Sequence, residues 1–140
     1  MSSSASSLLP VGSVLYVEDN ATNLALVELL IARRGDLKML SAITGRKGIE
    51  MANEHLPVVI LMDIQLPDMS GIDVLKYVRA NPATTHIPIL ALSSDAFPLQ
   101  IKKAVEAGFF RYLTKPFNID EFNDALDACL GFAAENPLAQ

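Results

Sequence analysis

The sequence predicts an α/β fold: a doubly wound sheet of five parallel strands flanked by five helices. Three observations lead there. Short apolar runs of strand length alternate with stretches of helical periodicity, five times in succession. At 140 residues the chain is about one domain long on a scale of ~150 residues per domain, and too short for a (β/α)8 barrel, which typically needs ~250. No internal repeat or linker interrupts the alternation, so all strands feed one sheet through right-handed crossovers.

Val14–Val17 is the first strand, rich in β-formers. Ala21–Arg34 follows with a broad apolar stripe of Leu24, Leu26, Val27, Leu29, Leu30 and Ile31, and Gly35 stops it. Met39–Ala42 is a second, weaker strand. Arg46–Glu54, with Ile49 and Ala52 three apart, is a short helix closed before Pro57. Val58–Met62 is apolar on both faces, as a central parallel strand requires. Ile72, Leu75 and Val78 mark a helix ending near Asn81-Pro82. Ile87–Leu92 is the fourth strand, with Pro88 tolerated near its start. Pro98 suits a first helical position; Ile101, Ala104 and Val105 follow it, and Gly108 closes that helix. Phe110–Leu113 is the fifth strand. Asn118 and Glu121 form a capping-box start to a final stripe of Ile119, Phe122, Leu126, Cys129 and Leu130.

Composition excludes several classes of function. Apolar residues make up 51% of the chain, enough for a core. Sixteen acidic residues against eleven basic ones give a net charge of −5, the wrong balance for binding nucleic acid directly through clustered Lys and Arg. One cysteine, Cys129, excludes a disulfide framework; with only His55 and His86 beside it the usual structural zinc sites are excluded too. A reducing compartment is implied. The longest apolar runs, Pro57–Met62 and Ile87–Leu92, fall well short of the ~20 residues of a membrane span. The Met1–Ser7 stretch has no cationic region and makes a poor signal peptide. The expectation is a soluble cytoplasmic domain over residues 13–131, with a disordered N-terminal tail over 1–12 and a C-terminal tail over 132–140.

In open sheets of this kind the site lies beyond the carboxyl ends of the strands. Glu18-Asp19 follow the first strand, Asp63 the third, Ser93-Ser94 the fourth and Lys115-Pro116 the fifth. Three carboxylates at one edge repel one another, and a divalent cation relieves that conflict. Oxygen ligands without His or Cys point to Mg²⁺ or a similar hard ion such as Mn²⁺. Lys115 supplies a point charge suited to phosphate and leaves the group at a formal −2, which one such ion matches. Asp63, at the end of the most apolar strand and before the turn Leu66–Gly71, is the natural nucleophile for an aspartyl phosphate. Ser93 stands where its hydroxyl can bond phosphoryl oxygens.

Four segments carry a resemblance. Val14–Asn20, Met62–Gly71, Ala91–Ser93 and Leu113–Phe117 resemble, in order and spacing, the four signatures of response-regulator receiver domains, and the likeness runs from about Ser13 to Leu130. Glu18-Asp19-Asn20-x-x-Asn23 also resembles the start of receivers fused to hybrid histidine kinases. The resemblance implies a flavodoxin-like sheet with strand order 2-1-3-4-5. It implies that Asp63 accepts phosphate, and that Asp19, Asp63 and the backbone carbonyl of Gln65 ligate the metal while Glu18 acts through metal-bound water. Lys115 is implied to pair with the phosphoryl group, before a cis bond to Pro116. Ser93 and Tyr112 are implied as the switch pair, with the surface of the fourth helix, fifth strand and fifth helix changing in response. Gln65 and Asp95 hold the two positions that tune dephosphorylation. A sensor histidine kinase or histidine phosphotransfer domain is the implied donor, and a downstream protein or effector domain the output partner. A phosphorylation-dependent homodimer through the fourth and fifth helices is left open. No effector domain is legible in Gly131–Gln140, so the expectation is a single-domain regulator or a receiver excised from a larger protein.

Plainer roles compete at each position. Glu18-Asp19 alone would suit a helix N-terminus, Asp63 an Asx turn, and Lys115 a solvated surface. Ser94 or Asp95 is expected to cap the fourth helix. Tyr112 alone is a half-buried strand aromatic and Cys129 a core residue; His55 and His86 are assigned nothing. Two other functions stand beside the signalling module, which is not an enzyme beyond its own phosphorylation and dephosphorylation. A small phosphohydrolase using an aspartyl phosphate would need a second Asp two residues after Asp63, where Gln65 stands. A receiver used only for docking, without phosphorylation, would have no need of the intact set Glu18, Asp19, Asp63, Ser93 and Lys115.

Overall fold

The computed structural model describes residues 12–135. Strand and helix alternate throughout: β1 (Gly12–Val17), α1 (Ala21–Arg34), β2 (Leu37–Ala42), α2 (Gly45–His55), β3 (Val59–Asp63), α3 (Gly71–Ala80), β4 (Ile89–Ser93), α4 (Pro98–Ala107), β5 (Arg111–Thr114) and α5 (Ile119–Glu135). The five strands form one parallel sheet in the order β2-β1-β3-β4-β5. Both the architecture and the strand order match the expected doubly wound fold. The direction of strand order changes at β1 and β3, which opens the crevice above their ends.

Central strands are buried on both faces because helices cover both. Val14, Tyr16, Val59, Leu61, Leu90 and Leu92 point to one side and pack with Val27 and Ile31 of α1 and Phe122, Leu126 and Cys129 of α5. Leu15, Val17, Ile60, Met62, Ile89 and Ala91 point to the other, against Ala52 of α2, Val74, Leu75 and Val78 of α3, and Ala104 of α4. Alternation along each strand therefore divides one apolar sequence between two cores.

Helix ends follow local chemistry. Asn20 caps α1, its side chain accepting the Asn23 N–H at 2.9 Å; Gly35 ends it in the left-handed region at φ 76°. Ser70 and Asp73 form a capping box at α3. Asn118 and Glu121 exchange backbone-to-side-chain hydrogen bonds of 3.0 and 2.8 Å at α5, as expected. Neither Ser94 nor Asp95 caps α4. Phe97 is its N-cap, because Pro98 sets the start, and the Asp95 carboxylate accepts the Phe97 N–H at 3.0 Å just before the helix.

Some boundaries move. β4 begins at Ile89 rather than Ile87, since Pro88 lacks the N–H a ladder needs. α5 continues to Glu135, past the boundary expected at Gly131. Gly12, expected in the tail, pairs with Leu37 in the sheet, while residues 1–11 and 136–140 lie outside the described residues. Among the described residues no helix is long and apolar enough to cross a membrane.

Candidate functional site

Glu18, Asp19, Asp63, Ser93 and Lys115 arrive together at the edge formed by the carboxyl strand ends. Glu18 and Asp63 are buried, Ser93 is buried, and Asp19 is exposed at the mouth. Glu18, Asp19 and Asp63 each offer one oxygen within 4.8 Å of the others. Their spacing comes from the sheet: β1 and β3 are neighbours in register, so the chain leaves both strands side by side.

Lys115 reaches in from the end of β5. Its Nζ lies 2.7 Å from Glu18 Oε1 and 3.9 Å from Asp63 Oδ2. The Lys115 backbone N–H donates to the Ser93 carbonyl at 2.8 Å, which ties the ends of β4 and β5 together. The Lys115–Pro116 bond is cis, as the resemblance implied. On the other flank the Gln65 N–H donates to Asp63 Oδ1 at 3.2 Å. The Gln65 side chain is exposed.

The two buried carboxylates hold charge unequally. Burial works against a charge on Glu18, but hydrogen bonds from Lys115 and Tyr16 outweigh it and hold the carboxyl below its usual range. Burial, followed by the neighbouring Glu18, pushes Asp63 up to about 7, an effect that Lys115 only partly offsets. The Asp63 carboxyl is thus made costly to ionise. A hard cation suits that conflict, and three carboxylates on an all-oxygen edge fit one.

A stability prediction follows. A carboxyl raised above its unfolded value destabilises the fold at pH values above about 7, and that penalty fades as pH falls toward the unfolded value. With a chelator present, the protein should gain about 1 kcal/mol of stability between pH 8 and pH 6 beyond any change seen in Asp63→Asn. Urea denaturation of both proteins at the two pH values checks this; parallel pH dependences would overturn it.

Ser93 and Tyr112 meet at the β4–α4 connection. Ser93 Oγ accepts the Asp95 N–H at 3.1 Å, and the Tyr112 hydroxyl donates to the Asp95 carbonyl at 2.6 Å. Tyr112 is half-buried and shares a cavity of about 170 Å³ with Ser93, Asp95 and Gln65. Ser93 and Tyr112 are therefore linked through the Asp95 backbone.

Comparison with known proteins decides the family. A family model described as a response regulator receiver domain matches residues 14–127. The chain belongs to that family. This receiver is 34% identical over 121 residues to the polar-differentiation response regulator DivK of Brucella ovis, covering 86% of this chain and 98% of DivK. The receiver domain of a sensor histidine kinase from Pseudomonas aeruginosa, solved with a magnesium ion coordinated in its active site cleft, is 28% identical. It superposes with a TM-score of 0.79 over 86% of this chain and 98% of that one. The signal receiver domain of a Luxo repressor protein from Vibrio parahaemolyticus gives a TM-score of 0.84 at 25% identity, over 93% and 97% of the two chains. The receiver thus belongs to two-component signalling, and its acidic edge is compatible with magnesium.

Two residues of this receiver's pocket were not assigned a role from sequence. Tyr16 was legible only as an apolar-facing strand residue, and Asn23 only as part of a motif. Both donate to Glu18. The available signal was position: Tyr16 and Glu18 are two apart where β1 ends, the spacing that puts two side chains on one face, and Asn23 stands in the first turn of α1.

Proposed function

We propose that this receiver is the phosphoacceptor module of a two-component phosphorelay, in which Asp63 is phosphorylated by a phosphohistidine donor. The observation that carries the reading is the convergence of Lys115 and three carboxylates at one sheet edge, with Lys115 Nζ 3.9 Å from Asp63. An Asp63 oxygen attacks phosphorus as the phosphorus–nitrogen bond of the donor breaks, and the imidazole nitrogen leaves with the electron pair. Asp19, Asp63 and the Gln65 carbonyl would hold Mg²⁺ or Mn²⁺ directly, and Glu18 through water. The ion supplies charge neutralisation for the transferring group. Lys115 pairs with the phosphoryl oxygens.

Ser93 then turns its hydroxyl to the phosphoryl group and releases the Asp95 amide. Tyr112, bonded to the same residue, moves with it, and the α4–β5–α5 surface shifts between two populated states. The hydrogen bonds of Ser93 and Tyr112 to Asp95 support this coupling. Gln65 and Asp95 flank the acceptor and tune hydrolysis, so the domain catalyses only its own phosphorylation and dephosphorylation. The donor is a sensor histidine kinase or a histidine phosphotransfer domain, and the output is a protein partner or effector domain, with a phosphorylation-dependent homodimer as one form of it. A cytoplasmic location belongs to the same reading, with the domain running from β1 at Gly12 to the end of α5 at Glu135.

The direct test is labelling. Asp63→Asn should take up no label from a phosphohistidine donor in the presence of Mg²⁺, while the wild-type protein does. Label retained on a folded Asp63→Asn protein would refute the acceptor assignment.

A further inference from the structure

Glu18 is 1% exposed, yet its hydrogen bonds are distributed unevenly between its two oxygens. Oε1 accepts the Tyr16 hydroxyl at 2.7 Å, Lys115 Nζ at 2.7 Å and Asn23 Nδ2 at 3.3 Å. Oε2 accepts the Asn20 N–H at 3.3 Å. Lys115 therefore serves Glu18 rather than Asp63, which lies 1.2 Å farther from its Nζ (3.9 against 2.7 Å). A phosphoryl group on Asp63 competes with Glu18 for this ammonium and draws it away from the buried carboxylate. A buried carboxylate that loses its cation is costly unless other donors remain.

We infer that Tyr16 and Asn23 are positioning residues that keep Glu18 satisfied and in place when Lys115 turns from Glu18 to the phosphoryl group. The inference rests on the phosphoacceptor reading above and extends it to two residues behind the pocket. Tyr16 suits the task because its ring is fully buried in the core beneath β1, so its hydroxyl position is set before the reaction. Asn23 is held by α1, where its own N–H is bonded to the Asn20 cap. Both donors are neutral. They support the carboxylate without competing with Lys115 for the phosphoryl group, which a second cation would do. Beside them Lys115 borders a cavity of about 280 Å³ that Tyr16 and Asn23 also line.

Beryllofluoride, a phosphoryl mimic, probes the state in which Lys115 has moved; Mg²⁺ alone probes the state in which it has not. Calorimetric titration of the wild-type protein, Tyr16→Phe, Asn23→Ala and the double variant with each probe separates the two. Tyr16→Phe should bind beryllofluoride about tenfold more weakly at saturating Mg²⁺, the scale of one hydrogen bond to a charged group. Its affinity for Mg²⁺ should stay within about twofold. Asn23→Ala should lose less, and the double variant more than the sum of the two, because both donors share one acceptor oxygen. Unchanged beryllofluoride affinity in a folded Tyr16→Phe overturns the inference, and so does a loss of Mg²⁺ affinity as large as the loss for beryllofluoride. Failure of the wild-type protein to bind beryllofluoride would instead reject the phosphoacceptor reading itself.

Discussion

Lys115→Ala should slow phosphoryl acceptance at Asp63 by about 10²–10³-fold, the usual effect of removing one preorganised partner from charge that develops in a reaction. Attack by an anionic carboxylate on an anionic phosphoryl group, beside Glu18 and Asp19, is opposed by charge at every step. The ammonium lies 3.9 Å from Asp63 Oδ2, where it would offset part of that repulsion. The same variant removes the cation from Glu18, one of the most deeply buried charged groups of the described residues. Breaking a buried pair typically costs ~3–5 kcal/mol, but here Tyr16, Asn23 and the Asn20 N–H still donate. A loss of about 2 kcal/mol is therefore expected. Labelling kinetics and urea denaturation measure the two effects separately. Lys115→Arg should restore more of the stability than of the rate, because it keeps the charge but not the compact ammonium. A Lys115→Ala rate within about threefold of wild type would sink the assignment.

Gly71→Ala should destabilise the domain by about 2–3 kcal/mol, lowering the melting temperature by ~5–10 °C. Gly71 opens α3 directly against the turn that follows Asp63, and its N–H donates to the Ile64 carbonyl at 2.8 Å. A Cβ there would press on the backbone carbonyl oxygen of Asp63 and lie 2.9 Å from Ile64 Cα. Backbone atoms cannot rotate away as a side chain does, so relief requires moving the β3–α3 turn and Asp63 with it. Mg²⁺ affinity should fall together with stability. Gly131 on α5 provides the contrast: among the described residues, nothing beyond the neighbouring helix backbone lies within 4 Å of its added Cβ. Gly131→Ala should therefore raise stability by ~0.5–1 kcal/mol through helix propensity. Thermal melts of both variants test the pair, and equal effects would rule out the packing argument.

Element order was legible because each strand is a short apolar run and each helix a longer periodic one. Burial within a helix was less so. Leu26, Leu29 and Val105 fit the apolar stripes, yet they are 46%, 56% and 50% exposed. A helix lying on a sheet buries only a narrow face, and periodicity alone cannot say where that face ends. The α4 start shows a related limit: Ser94 and Asp95 are good capping residues, but the pairing of Phe97 with Pro98 determines where helical geometry begins.

The site divides in the same way. Glu18, Asp19, Asp63, Ser93 and Lys115 were legible because parallel connectivity brings the carboxyl strand ends to one edge, and these residues stand at the ends of β1, β3, β4 and β5. The sequence by itself thus determined the α/β alternation, the site edge and its set of charges. Only the tertiary structure decided which oxygen each donor meets. Lys115 lies 97 positions from Glu18, and no local pattern states that its ammonium rests at 2.7 Å from that carboxylate and 3.9 Å from Asp63. Nor does any pattern state that a core tyrosine holds the same oxygen. Periodicity encodes which face a side chain takes. Distances of this kind depend on strand order and on the packing of two cores at once, which are properties of the folded chain.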